Sequence, residues 1–237
     1  MLIIEHLTKK YGEKKAVDDL SLHVKPGTIY GFIGHNGAGK TTTIKAATGI
    51  MSFDEGRITV GGKDIIADPI ECKKLFAYIP DNPDLYSYMT GWDYISFISD
   101  IYEVPTGERK ELAEKYAKEF EIYDKLPNQI STYSHGMKQK LAVISALIHK
   151  PKLMIMDEPF VGLDPIAAHK LKLIMREICD EGGAIFFSTH VLEVAEKLCD
   201  EIAIIKDGKL IKAGKTDEVT GDSSLETVFL ELEGNEN

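Results

Sequence analysis

The stretch Gly34-His35-Asn36-Gly37-Ala38-Gly39-Lys40-Thr41, followed by Thr42, carries the residue types that hold a polyphosphate. Its spacing fits G-x-x-x-x-G-K-[ST], with a β-rich apolar run over residues 28–33 before it and a helical pattern over 42–47 after it. Glycines at 34, 37 and 39 permit positive φ and close approach of the backbone, so successive N–H groups can turn inward around an anion. The N-terminus of the following helix adds a fixed partial positive charge. Lys40 is then placed to bridge β- and γ-phosphates, and the Thr41 hydroxyl to take one Mg²⁺ position. The chemistry indicated is capture of a nucleoside triphosphate.

A second group of candidates follows in Leu153-Met154-Ile155-Met156-Asp157-Glu158, where two carboxylates end a near-continuous apolar run. Such a run suits a strand buried on both faces of a parallel sheet, and ligands of open α/β sheets bind at the C-terminal strand ends. Asp157 is expected to hold Mg²⁺, through water, and Glu158 to orient a water for in-line attack on the γ-phosphate.

The elements that must position these groups are legible around them. Strands are expected over 2–4, 16–24, 57–60, 76–79, 153–156, 184–188 and 202–205. Turns fall at Tyr11-Gly12, Gly61-Gly62 and Asp207-Gly208. Tyr11 could stack on an adenine or cap a sheet edge. Residues 81–150 read differently, as helices, with a capping box at Thr90-Gly91-Trp92-Asp93 and a charged helix over 108–120. Helices are also expected over 69–75, 165–179, with Asp164 as cap, and 191–198. The fold class is therefore α/β: a phosphate-loop core with a mixed or parallel sheet, an N-terminal antiparallel β subdomain and an inserted helical subdomain. Residues 1–237 form one domain. Its core spans about 1–80 and 151–220, the helical part about 81–150, and a C-terminal helix and polar tail 221–237.

Composition narrows the function. The 237 residues carry a formal net charge of −10, which argues against sequence-independent nucleic-acid binding. No apolar run approaches the roughly 20 residues of a membrane span, so membrane work would need another chain. The N-terminal Met1-Leu2-Ile3-Ile4-Glu5-His6 lacks the layout of a signal peptide. Three cysteines without C-x-x-C spacing suggest buried, inert thiols.

In this setting Tyr133-Ser134-His135-Gly136-Met137-Lys138-Gln139-Lys140-Leu141 resembles the Leu-Ser-Gly-Gly-Gln signature of ABC-type ATPases. Val161-Gly162-Leu163-Asp164 resembles that family's D-loop, His190 its switch histidine, and Tyr11 its adenine-stacking aromatic. The order of motifs matches over nearly the whole chain. The resemblance implies an ATPase using ATP and Mg²⁺. Ser134, Gly136 and Asp164 would contact nucleotide held by a second ATPase subunit, in a homo- or heterodimer. A transmembrane permease subunit would hold the pair at the cytoplasmic face of the membrane. The Tyr-Ser-His-Gly-Met form is similar to an export-branch variant. The family's usual glutamine after Tyr78-Ile79-Pro80 is replaced by Asp81, expected to serve still as a metal-side relay. Tyr86, Tyr88, Met89, Trp92 and Tyr94 either line a docking groove for the permease or pack the helical subdomain. The alternative from another class is a soluble ATPase of iron–sulfur assembly. DNA-maintenance and translation members fit less well, because the chain is acidic, lacks sustained heptads and has one cassette.

Overall fold

In the computed structural model, which describes residues 1–234, two sheets share the molecule. The first is antiparallel, in the order β2-β1-β4-β5, from β1 (Leu2–Tyr11), β2 (Lys14–Val24), β4 (Glu55–Val60) and β5 (Lys63–Asp64). The second has six strands in the order β10-β9-β3-β8-β7-β6. Its members are β3 (Ile29–Ile33), β6 (Phe76–Ile79), β7 (Leu153–Asp157), β8 (Ala184–Thr189), β9 (Glu201–Lys206) and β10 (Lys209–Lys215). Five run parallel, and β10 closes one edge antiparallel to β9.

The apolar runs explain why β3, β7 and β8 lie at the centre, since every residue in them is buried. Alternate side chains of β7 then enter two cores. Leu153 and Ile155 join Leu2, Ile4 and Phe32 beneath the antiparallel sheet. Met154 and Met156 join Phe120, Leu126 and Leu141 beneath the helical insert. The insert comprises α3 (Gly91–Ile101), α4 (Thr106–Glu119) and α5 (His135–Leu147). Thr90 and Asp93 form the expected capping box at the start of α3. Of α4 only Ala113 and Ala117 are buried, so its charges face water as expected.

Register decides where the chemistry goes. Ile33 pairs with Thr189, Asp157 with Ser188, and Ile79 with Met156. The ends of β3, β8, β7 and β6 therefore lie side by side. The loop before α1 (Lys40–Ala47), then His190, Glu158 and Asp81, all emerge at that one edge.

The outer parts differ more from expectation. β1 runs on to Tyr11, well past the short strand anticipated, because its pairing with β2 shifts register between Ile4 and Leu7, between Leu7 and Lys9 and between Lys9 and Lys10 and so accommodates polar residues. β10 and α8 (Thr216–Thr220) had no apolar pattern to announce them. β10 is an exposed edge bearing Lys209, Lys212 and Lys215, residues that discourage pairing with another chain. The helix expected over 69–75 forms as the shorter α2 (Pro69–Lys73); the helix after Asp164 is α6 (Pro165–Asp180), that after β8 is α7 (Leu192–Leu198), and the C-terminal helix is α9 (Leu225–Gly234). The last three residues of the expected tail, Asn235-Glu236-Asn237, lie outside the described residues. Cys72, Cys179 and Cys199 are free and buried, and burial pushes the Cys179 thiol up to about 11.

Candidate active site at the strand ends

The phosphate loop owes its shape to close packing. A Cβ on Gly34 would lie 2.5 Å from the Ile205 carbonyl oxygen, and one on Gly39 would lie 2.5 Å from that of Ala16. Gly39 also has φ of 109°, where a side chain is strained in any case. Ala38 is buried, and its carbonyl accepts a 2.9 Å hydrogen bond from the Gly208 N–H. Gly34 and Ala38 thus form the back of the loop. His35, Asn36, Gly37, Gly39, Lys40, Thr41 and Thr42 line a cleft of about 360 Å³ in front of it.

Charged groups converge at the floor of this cleft. Lys40 Nζ donates to the carbonyls of Gly34 at 2.6 Å and His35 at 3.2 Å, and lies 3.5 Å from Glu158 Oε1. The Thr41 hydroxyl donates to Asp157 Oδ2 at 2.7 Å, while the Ser188 hydroxyl donates to the other oxygen, Oδ1. Ser188 Oγ in turn accepts the Glu158 N–H at 3.1 Å. Asp157, only 1% exposed, is therefore fixed from both sides. Glu158 sits at φ 47°, a left-handed conformation uncommon for a non-glycine residue, as β7 ends. Its Oε1 lies 2.9 Å from His190 Nδ1, a close approach without hydrogen-bond alignment. His190 is half-exposed beside the loop.

Two further expected residues stand on the rim. Tyr11 is 52% exposed at the mouth of the cleft, with its hydroxyl on Met51 Sδ at 2.9 Å, so its ring is held and one face is available. Asp81 lines the same cleft. Partial burial, then the carboxylates of Asp157 and Glu158, push its carboxyl above the usual range, against a weaker opposing pull from His135 and His190.

The remaining expected residues lie elsewhere. Ser134 caps α5, accepting the Met137 N–H at 3.3 Å. A Cβ on Gly136 would lie 2.5 Å from the Gly162 carbonyl, and one on Gly162 would run into the His135 ring. Asp164 caps α6 through the Ala167 N–H at 2.9 Å and pairs with Lys140 Nζ at 2.6 Å. The Lys140 hydrogen bond, then the Ala167 N–H, hold its carboxyl below the usual range. Turn and helix end are locked together, and none of Ser134, Gly136 or Asp164 lines the cleft.

Comparison with known proteins decides the family. The profile described as ABC transporter matches residues 17–161. The chain is 36% identical to the linearmycin resistance ATP-binding protein LnrL of Bacillus subtilis, over 92% of this chain and 70% of that one. It is 35% identical to the ABC-type transporter ATP-binding protein EcsA of the same organism, over 98% and 96%. A solved structure of an ATP-binding subunit of an ABC transporter superposes with a TM-score of 0.94 at 33% identity, covering 98% of this chain and 99% of that one. The chain is an ATP-binding subunit of the ABC transporter family.

An ABC ATPase of this kind binds ATP and hydrolyses it, and family members act in pairs on a transmembrane permease. Hard oxygen donors are what Mg²⁺ prefers, and it usually keeps phosphate and water ligands as well. Thr41 and Asp157, already in contact, offer such donors, and Asp81 adds another at the rim. Among the described residues no helix is long and apolar enough to cross a membrane. Lys14, Lys15, Ala16, Asp207 and Gly208 also line the cleft and were not anticipated. The basic pair beside Tyr11-Gly12 was a usable signal. Ala16 and the Asp207-Gly208 turn were not, because only the packing of Gly39 on Ala16 brings them in. Of the suspected docking aromatics, Tyr86 and Tyr88 are exposed, whereas Met89, Trp92 and Tyr94 pack partly into the core.

Proposed function

We propose that this subunit powers an export-type ABC transporter, two copies closing around two ATP molecules. The observation that carries the catalytic assignment is the approach of Glu158 Oε1 to both His190 and Lys40 at the mouth of the phosphate loop. In this reading the adenine stacks on Tyr11. The inward N–H groups of residues 34–42 and Lys40 hold the phosphates, exchanging the loop carbonyls for phosphate oxygens. Thr41 and Asp157 would hold Mg²⁺, which supplies neutralising charge on the β- and γ-phosphates; Asp81 stands on its outer side. Glu158 accepts a hydrogen bond from a water and aligns it for in-line attack, and His190 donates to the γ-phosphate oxygens as charge builds there.

Ser134, Gly136 and Asp164 find their partner on the other chain. Every chain carries both halves, so two identical chains complete two sites by a two-fold axis. Opposed chains of net charge −10 repel until bound phosphate meets the start of α5 across the interface. Export is supported by the Tyr-Ser-His-Gly-Met turn and by the resistance function in the name of LnrL. The transporter descriptions of the relatives favour this reading over a soluble iron–sulfur assembly ATPase. A permease would keep the subunit at the cytoplasmic face of the membrane.

The test is Glu158→Gln. Steady-state ATP hydrolysis stalls while Mg-ATP stays bound; hydrolysis at the parental rate removes Glu158 from the chemistry.

A further inference from the structure

Beside the nucleotide cleft the Tyr78 hydroxyl is shut off from solvent and has no hydrogen-bond partner among the described residues. Tyr78 stands opposite Ile155 in the pairing of β6 with β7. Both pack against the core beneath the antiparallel sheet, which also takes Ile44, Ala46 and Ala47 of α1. Successive side chains of a strand alternate between faces, so Asp157 leaves β7 on the same face as Ile155. There it meets Thr41, in the first turn of α1. The Tyr78 ring thus lies on the face of the sheet that carries Thr41 and Asp157, away from the helical insert.

The hydroxyl feels the carboxylates of the cleft without touching them. Burial, then Asp157 and Asp81, push the phenol up to about 12, so it keeps its proton at physiological pH. Asp157 is already engaged on both oxygens, Oδ2 by Thr41 and Oδ1 by Ser188. A buried hydroxyl left unpaired loses its hydration without return, so a partner that bridges it to the carboxylates is strongly favoured. A neutral phenol can serve such a partner twice, accepting one hydrogen bond and donating another. Mg²⁺ gives up its waters reluctantly and keeps several of them when carboxylates and phosphates bind it. A water held on the cation is a strong donor, of the size needed to span phenol and carboxylate.

We propose that Tyr78 is a positioning residue of the metal site, its hydroxyl holding one water of the hydrated cation against Asp157 and Asp81. This rests on the assignment of Mg²⁺ to Thr41 and Asp157 above. Tyr78 acts on the cation only through that water and touches neither nucleotide nor metal. Its contribution is therefore to the metal-dependent part of nucleotide binding, and the metal-free part is indifferent to it.

The experiment measures binding of a fluorescent ATP analogue to the full chain, in excess EDTA and in saturating Mg²⁺, for the parental chain, Tyr78→Phe and Asp157→Asn. The readout is the gain in affinity that Mg²⁺ brings. Tyr78→Phe keeps the ring and its packing and deletes only an unpaired hydroxyl. Its affinity in EDTA is expected to stay within twofold of the parental value, and its melting temperature without nucleotide not to fall. Its Mg²⁺ gain drops at least fivefold, toward the roughly 10–100-fold that outer partners of metal ligands carry. A role in packing alone would lower the melting temperature, or both affinities together, and leave the gain intact. A parental gain in Tyr78→Phe, with the gain lost in Asp157→Asn, overturns the inference alone. A gain that survives in Asp157→Asn overturns the metal assignment and the inference with it.

Discussion

Around the phosphate loop the functional side chains are wired to one another, whereas those of the signature turn are wired only to their own helices. Thr41, Asp157, Ser188 and Glu158 form one connected chain of hydrogen bonds, buried at Asp157 and Ser188 and open to the cleft at Thr41. Ser134, Gly136 and Asp164 satisfy local needs, capping α5 and α6 and packing turn on turn, and leave the start of α5 open. In the proposed reading the wired half holds a metal and a water in place, and its hydrogen bonds fix the side chains for that task. In the proposed reading the exposed half is preorganised for a ligand held by another chain. One sequence has thus built two half-sites by different means.

The comparison can be broken at several points. Glu158→Gln strikes the wired half and carries the largest effect, a loss of about 10²–10⁴ in turnover, measured as steady-state phosphate release. Ser134→Arg strikes the idle half. Hydrolysis falls at least tenfold, while equilibrium binding of Mg-ATP to the isolated chain, followed by fluorescence or calorimetry, does not change. Loss of ATP binding in that variant would erase the distinction between the halves. Tyr11→Ala weakens ATP binding by ~1–3 kcal/mol, the usual worth of a base stacked on an aromatic ring, and Tyr11→Phe restores most of it. Asp164→Ala removes a helix cap worth about 1 kcal/mol and lowers the melting temperature by roughly 2–4 °C.

The smallest effect concerns Asp81 and depends on pH. Its carboxyl is raised in the folded chain, by partial burial and then by Asp157 and Glu158, so the native state holds that proton more tightly than the unfolded state does. Stability then falls as pH rises from the ordinary aspartate range through the raised one, and the full penalty applies above it. Asp81→Asn removes the penalty. A slightly higher melting temperature is expected at neutral pH, the gain shrinking as pH falls toward the ordinary aspartate range.

The two halves were not equally legible in the sequence. The wired half could be read from residue types: glycines, a lysine and a hydroxyl at fixed spacing, then two acids ending the apolar run of β7. Such local patterns state their chemistry directly. Ser188 escaped notice although it holds both Asp157 and Glu158, because only the register of β7 against β8 reveals it. Ala16 and Gly208 escaped for the same reason: their contact with the loop is a long-range packing fact. The signature turn needed a family resemblance to be found at all. Its residues are ordinary cap formers, and nothing in Ser134 or Asp164 alone speaks of nucleotide. The exposed lysine-bearing edge β10 went unread because it buries little and so leaves no hydrophobic trace.

The most direct test of the paired half-sites is the mass of the Glu158→Gln chain in solution, by sedimentation with and without Mg-ATP. The account predicts a single chain without nucleotide, a pair with it, and a return to the ATP-loaded single chain when Ser134→Arg is added. A Glu158→Gln chain saturated with Mg-ATP that stays single at every concentration would contradict it.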